Sequence, residues 1–176
     1  TCANDNNHKI TEYCFGGEAT CYNAVCDVCG TNYIQNHVYE NEHCKWCNAC
    51  EGIAYTLSGN SYSVSGIGTC NHTDIVIPST YNGKPVTDIS SSAFKNTKIT
   101  SIVIPDSVTS IGDYAFYNCD SLTSITIPDS VTTIGSSAFY YCYSLTSITI
   151  PDSVTSIGDW AFESCDSLES ITVSEN

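Results

Sequence analysis

Between Ser121 and Tyr143 the apolar side chains fall at Leu122, Ile125, Ile127, Val131, Ile134, Ala138, Phe139 and Cys142. The first part, "LTSITIP", alternates β-branched or apolar residues with hydroxylated ones, the period of a short strand with one face buried. Pro128 has no N–H to offer a ladder and ends that strand. "PDSV" then reads as a turn, with Asp129 or Ser130 placed to cap a single helical or 3₁₀ turn. "IGSSAF" returns the chain, and Gly135 is expected to supply a backbone angle that other residues resist. One such unit is a strand, a turn and a return segment, too small to cover its own apolar side chains.

The pattern recurs. Lys98 to Asp120, Ser121 to Tyr143 and Ser144 to Asp166 are each 23 residues long, and Ser167 to Val173 opens another copy. A fixed period in this range marks a solenoid, in which each coil supplies its neighbour's missing core. Burial of five or six side chains per coil, at roughly 1.5 to 3 kcal/mol each, offsets much of the ordering cost. An irregular copy precedes the regular ones: "IVIP" at Ile75 to Pro78 matches Ile102 to Pro105, and "SSAFKNT" matches "DYAFYNC", with "TYNGK" inserted between. Upstream, alternation at Ile53, Tyr55 and Leu57 and at Tyr62 and Val64 predicts a β-hairpin turning at Ser58 to Ser61. Phe116, Phe139 and Phe162 are expected to form a buried stack.

Twelve Cys change the picture at one end only, because eight of them lie in the first 50 residues. The organisation read from this is a Cys-rich module over 1–51, a hairpin and irregular capping repeat over 52–97, and a regular solenoid over 98–176. Cys26-x₂-Cys29 and Cys44-x₂-Cys47, fourteen residues apart, have the spacing of two knuckles around one tetrahedral zinc ion. A dense, even set of Cys is equally the mark of a disulfide framework. Structural zinc on Cys26, Cys29, Cys44 and Cys47 and a disulfide-stapled module both remain open, and either would hold together a segment poor in apolar residues.

The formal charge of −14, with five Lys, no Arg and nineteen acids, argues against nucleic acid or an anionic membrane as partner. No apolar run reaches the roughly 18 to 20 residues that span a bilayer. The chain begins at Thr1 and holds no Met, and so reads as a processed or excised piece.

"LTSITIPDSVTSIGDWAF" resembles the leucine-rich repeats of the BspA type, and the likeness extends over about residues 69 to 176. "CDVCG…H…CKWC" is similar to the Cys/His ribbon-like modules found beside such repeats. The resemblance implies a right-handed solenoid with parallel strands on one face, an extracellular or cell-surface location, a binding or adhesive role towards a protein or carbohydrate, and no catalytic residues. An alternative is a structural subunit that associates end to end into a filament through the coil after Ser167.

Stacking would align equivalent residues about 4.8 Å apart. Cys119, Cys142 and Cys165 form one column, which Thr97 continues and Cys70 could begin; Asp106, Asp129 and Asp152 form another. Ser101, Ser124, Ser147 and Ser170 line the strand face beside Thr126, Thr149 and Thr172. Aromatic positions vary more between copies than the core does, and Tyr114, Tyr117, Tyr140, Tyr141 and Trp160 are therefore the candidate ligand-binding residues. Asn71, in Asn71-His72-Thr73, is a glycosylation sequon in a suitable secretory pathway.

Overall fold

A computed structural model describes residues 52–173 in full, together with the backbone of five short strands nearer the N-terminus. These are β1 (Ile10–Phe15), β2 (Thr20–Cys26) and β3 (Asn32–Asn36), which form an antiparallel sheet, and the pair β4 (Tyr39–Glu40) and β5 (His43–Cys44).

The hairpin appears where alternation placed it. Strands β6 (Ala54–Ser58) and β7 (Ser61–Gly66) pair antiparallel and turn through Gly59, whose φ of 60° is left-handed. The irregular copy follows as β8 (Asp74–Val76), β9 (Thr80–Tyr81) and β10 (Lys84–Ile89). Its inserted residues make a second hairpin, β9 to β10, whose turn residues Asn82 and Gly83 both have positive φ, at 47° and 71°. Asn-Gly is the pair that a two-residue hairpin of this twist favours. Tyr55 stacks on Tyr81 at 4.0 Å, and Tyr62 meets both edge-on, so the two hairpins lock together against the first coil.

Regular coils then stack as a parallel β-solenoid, with no helix among the described residues. One ladder runs from β8 through β11 (Ser101–Val103), β13 (Ser124–Thr126) and β15 (Ser147–Ile150) to β17 (Ser170–Val173). Ile102, Ile125, Ile148 and Ile171 pair in sequence along it. A second parallel ladder joins β7 and β10 to β12 (Ser110–Ile111), β14 (Thr133–Ile134) and β16 (Ser156–Ile157). The solenoid thus has two parallel faces rather than one. The turn after each Pro closes with a single i→i+3 bond, Val131 N–H to the Pro128 carbonyl and Val154 N–H to that of Pro151 at 3.0 Å, and goes no further as a helix; Ser130 and Ser153 donate their hydroxyls to the carbonyls of Val108 and Val131 in the coil before, instead of capping.

Between the ladders lies one core. All eight apolar positions of the 121–143 copy are buried, and the Phe rings form the expected stack: Phe94, Phe116, Phe139 and Phe162 follow one another at 5.3, 5.1 and 5.4 Å, within 6° of parallel. Gly135 serves a purpose other than the expected one. Its φ is not positive, but a Cβ there would lie 2.4 Å from the Asp113 amide nitrogen, and Gly112 and Gly158 are equally crowded. This column is where successive backbones come closest, and only glycine fits. Thr100, Thr123 and Thr146 add a side-chain ladder, each hydroxyl donating to the equivalent carbonyl one coil earlier at 3.2 to 3.3 Å.

Candidate ligand-binding ridge

After the second ladder each coil passes through a double turn, residues 91–98, 113–120, 136–143 and 159–166. Alternate amides point at the next coil: Tyr114 N–H donates to Ser136, Phe116 to Ala138 and Asn118 to Tyr140, at 2.7 to 2.9 Å. Keeping the chain flat enough for this requires two left-handed residues per turn. The first position holds Ser92, Tyr114, Ser137 and Trp160, and the second holds Asn96, Asn118, Tyr141 and Ser164, all with φ between 53° and 62°. Asn tolerates that conformation, whereas a bulky side chain there carries a strain of order 1 kcal/mol. Tyr114, Tyr141 and Trp160 therefore sit where the fold itself asks for something smaller.

Two intervening columns complete the surface. Lys95, Tyr117, Tyr140 and Glu163 occupy one, and Lys98, Asp120, Tyr143 and Asp166 the other. Tyr117 stacks on Tyr140 at 5.6 Å, and Tyr114 meets Tyr117 edge-on at 5.8 Å. Tyr141 meets Tyr140 edge-on at 4.2 Å and stacks on Tyr143 at 5.5 Å. The Lys95 ammonium lies 4.7 Å from the Tyr117 ring centroid and 5.6 Å from that of Tyr114. These residues form a continuous aromatic ridge across two coils. Tyr114 and Tyr143 are its exposed ends, at 42% and 41%, and the other three rings are half-buried.

The ridge is electrostatically tuned. A hydrogen bond with Tyr141 holds the Tyr140 phenol above its usual range, helped by burial and by Glu163. Burial, then Tyr141 and the Asp166 carboxylate, raises Tyr143. Both shifts keep Tyr140 and Tyr143 protonated at neutral pH, and the surface offers hydroxyls and π faces, a chemistry of stacking and hydrogen bonding. Among the described residues no group of three or more His, Cys, Asp or Glu is arranged to hold a metal.

Of the five aromatic residues singled out from the sequence, Tyr114, Tyr117, Tyr140 and Tyr141 come together. Trp160, 66% exposed one coil further on, makes no ring contact among the described residues and stands apart. Lys95, Glu163 and Asp166 were not marked as part of this surface, although the repeat period puts them in the same columns as the tyrosines. Asn71 is exposed on the loop before β8. The quartet Cys26, Cys29, Cys44 and Cys47 lies outside the residues whose side chains the structure describes. Cys119, Cys142 and Cys165 form a column of free thiols; Cys70 stands at the equivalent turn of the first coil, its N–H bonded to the Ile67 carbonyl as that of Cys119 is to Phe116, but it is disulfide-bonded. Ser124, Thr126, Ser147, Thr149, Ser170 and Thr172 line the first ladder as an exposed row.

The model for the BspA type leucine rich repeat region matches residues 87–176 in six copies. No curated protein matches the chain. A solved leucine-rich repeat protein from Bacteroides capillosus is 28% identical, over 80% of this chain and all of that one, with a TM-score of 0.64. The leucine-rich repeat protein of T. pallidum is 27% identical over 68% of this chain and 67% of its own, with a TM-score of 0.60. A leucine-rich cell surface protein from Faecalibacterium prausnitzii is 30% identical over 80% of this chain, which spans 43% of that protein, with a TM-score of 0.55.

Proposed function

This chain belongs to the BspA type leucine-rich repeat family, and from that premise we propose that it is a non-catalytic binding module, secreted or displayed at a cell surface, that holds its ligand against the ridge of Tyr114, Tyr117, Tyr140, Tyr141 and Tyr143. One observation carries the choice of site. The stacked coils need a residue that accepts left-handed backbone at positions 114 and 141, Ser or Asn meets that need elsewhere in the stack, and the chain spends conformational strain to place Tyr there instead. The strain is accounted for if the rings do something besides fold the coil. A surface location is supported by the F. prausnitzii relative, a cell surface protein by name. Among the described residues no helix is long and apolar enough to cross a membrane. The ligand is a protein or a carbohydrate, both of which tyrosine ridges bind through flat, amphipathic contact area at low entropic cost. Asn71, exposed and followed by Thr73, is proposed as a glycan acceptor where the secretory route provides the transferase.

The test is to apply the full chain to protein and glycan arrays alongside the variant Tyr141→Asn with Tyr143→Ser. Retention of every interaction by the variant removes the ridge from consideration, and loss with an unchanged melting temperature supports it. Sedimentation over a concentration series addresses the end-to-end alternative, which predicts growth in particle size as concentration rises.

A further inference from the structure

The two ends of the ridge differ in charge. At the N-terminal end both cations are occupied: Lys95 lies over Tyr114 and Tyr117, and the Lys98 ammonium pairs with Asp120 at 2.6 Å. The Tyr117–Tyr140 stack is therefore bounded on that side by a positive charge. One coil beyond its other side the same column carries Glu163, and the neighbouring column carries Asp166 beside Tyr143. Both carboxylates are exposed, and neither has a basic partner among the described residues. No Lys, Arg or His follows Lys98 in the sequence.

We propose that the end of the ridge formed by Tyr140, Tyr141, Tyr143, Glu163 and Asp166 binds a basic polypeptide segment, seating an Arg or Lys side chain on the tyrosine rings with the two carboxylates as counter-charges. Lys95 is the internal precedent: the ridge already holds a cation on its other end, at distances where the attraction of a ring face for a positive charge is effective. The carboxylates supply the long-range part, which steers a cationic partner and sets its register. The ring faces supply the short-range part, which suits a guanidinium because it is weakly hydrated and stacks on aromatic planes. The spread of the exposed aromatic and acidic groups, over coils about 4.8 Å apart, matches an extended segment with more than one cation better than a single small ammonium ion. A charge of −14 favours the same partner over an acidic one.

This inference rests on the ridge being the binding surface, and its test separates the two. An oligo-arginine peptide, an oligo-lysine peptide and an uncharged Gly-Ser peptide of equal length are titrated into the full chain by calorimetry. The arginine peptide is expected to bind tightest and the Gly-Ser peptide not at all. Glu163→Gln with Asp166→Asn is expected to weaken arginine-peptide binding at least about tenfold, the scale of a lost charge pair at an interface. Asp129→Asn with Asp152→Asn removes the same charge from a distant turn and is expected to change it less than about twofold, through screened long-range attraction alone. Equal weakening by the two double variants would mean that the peptide responds only to net charge, and the proposal would be wrong. It would be equally wrong if neither basic peptide bound. Failure of the carboxylate variant together with loss of array binding by the tyrosine variant overturns the cationic ligand and leaves the ridge; unchanged array binding by the tyrosine variant overturns both.

Discussion

The Cys142 thiol donates to the carbonyl of Phe116, one coil earlier, at 3.2 Å. Cys119 does the same to Phe94 at 3.0 Å and Cys165 to Phe139 at 3.1 Å, so three thiols tie each turn to the one beneath. Parallel side chains held in this way are donors rather than bridge partners, and the three cysteines are free. Burial pushes the Cys119 thiol up to about 11. A raised folded-state value means that the folded chain keeps its proton when the unfolded chain has lost it. The associated stability is then full below the ordinary thiol range and is lost as pH climbs towards 11. Thermal melts should show a Cys119 contribution on the order of 3 kcal/mol being lost between about pH 9 and 11, and Cys119→Ala should reduce the slope across that window while Cys142, whose thiol is raised by its contact with Cys165 and by burial, keeps part of it. Among the three, Cys165 should react first with a thiol reagent, because it is only half-buried and its contact with Cys142 lowers its value.

Replacing Phe139 with Ala should cost about 3 to 5 kcal/mol, since the ring is fully buried between Phe116 and Phe162 and rigid coils cannot collapse onto the gap. Denaturant unfolding measures this directly. A loss below about 1 kcal/mol would contradict the stacked register.

What could be read from the sequence divides along physical lines. The first ladder was legible because Ser-Ile-Thr alternates within a strand and repeats every 23 residues, so that strand period and coil period reinforce each other. The second ladder, of strands such as Thr133–Ile134, was not: two residues carry no alternation, and the segment reads as a turn and return. Tyr117 and Tyr140 were recoverable as a column, by counting. The left-handed backbone at Tyr114, Tyr141 and Trp160 was invisible, because Gly and Asn are the usual signs of that conformation and the strain is imposed by inter-coil amide bonds formed only on stacking. Glycine misled in the other direction: Gly135 looked like a site of unusual φ and is instead a site with no room for a Cβ.

That difference between glycines can be measured. At Gly59, φ is 60° and nothing lies within 4 Å of an added Cβ, so Gly59→Ala should cost only the conformational penalty of roughly 1 to 2 kcal/mol. Gly135→Ala forces a methyl against the Asp113 backbone and strains the bond from Gly135 N–H to the Ile111 carbonyl, now 2.8 Å. Overpacking against backbone cannot be relieved by a rotamer change, so about 3 kcal/mol or more is expected. Paired chemical denaturation of the two variants decides the matter, and a smaller loss for Gly135→Ala would show that the coils can separate without penalty.

If aromatic residues occupy left-handed positions for the sake of binding, then stability and function should move in opposite directions when they are removed. Trp160 is the clean case, because it is 66% exposed and touches no other ring among the described residues, so Trp160→Asn removes strain while giving up little contact. The variant should be more stable than the parent by up to about 1 kcal/mol, seen as a rise in melting temperature. Tyr141→Asn relieves a similar strain but gives up contacts with Tyr117, Tyr140 and Tyr143, each of the order of 0.5 to 1.5 kcal/mol when well formed and less at a partly exposed surface. Its net effect should stay within about 1 kcal/mol of zero while ligand binding falls. A fall of several kcal/mol on Trp160→Asn would show that the left-handed tryptophan stabilises the coil by itself, and the reason for assigning function to these positions would disappear.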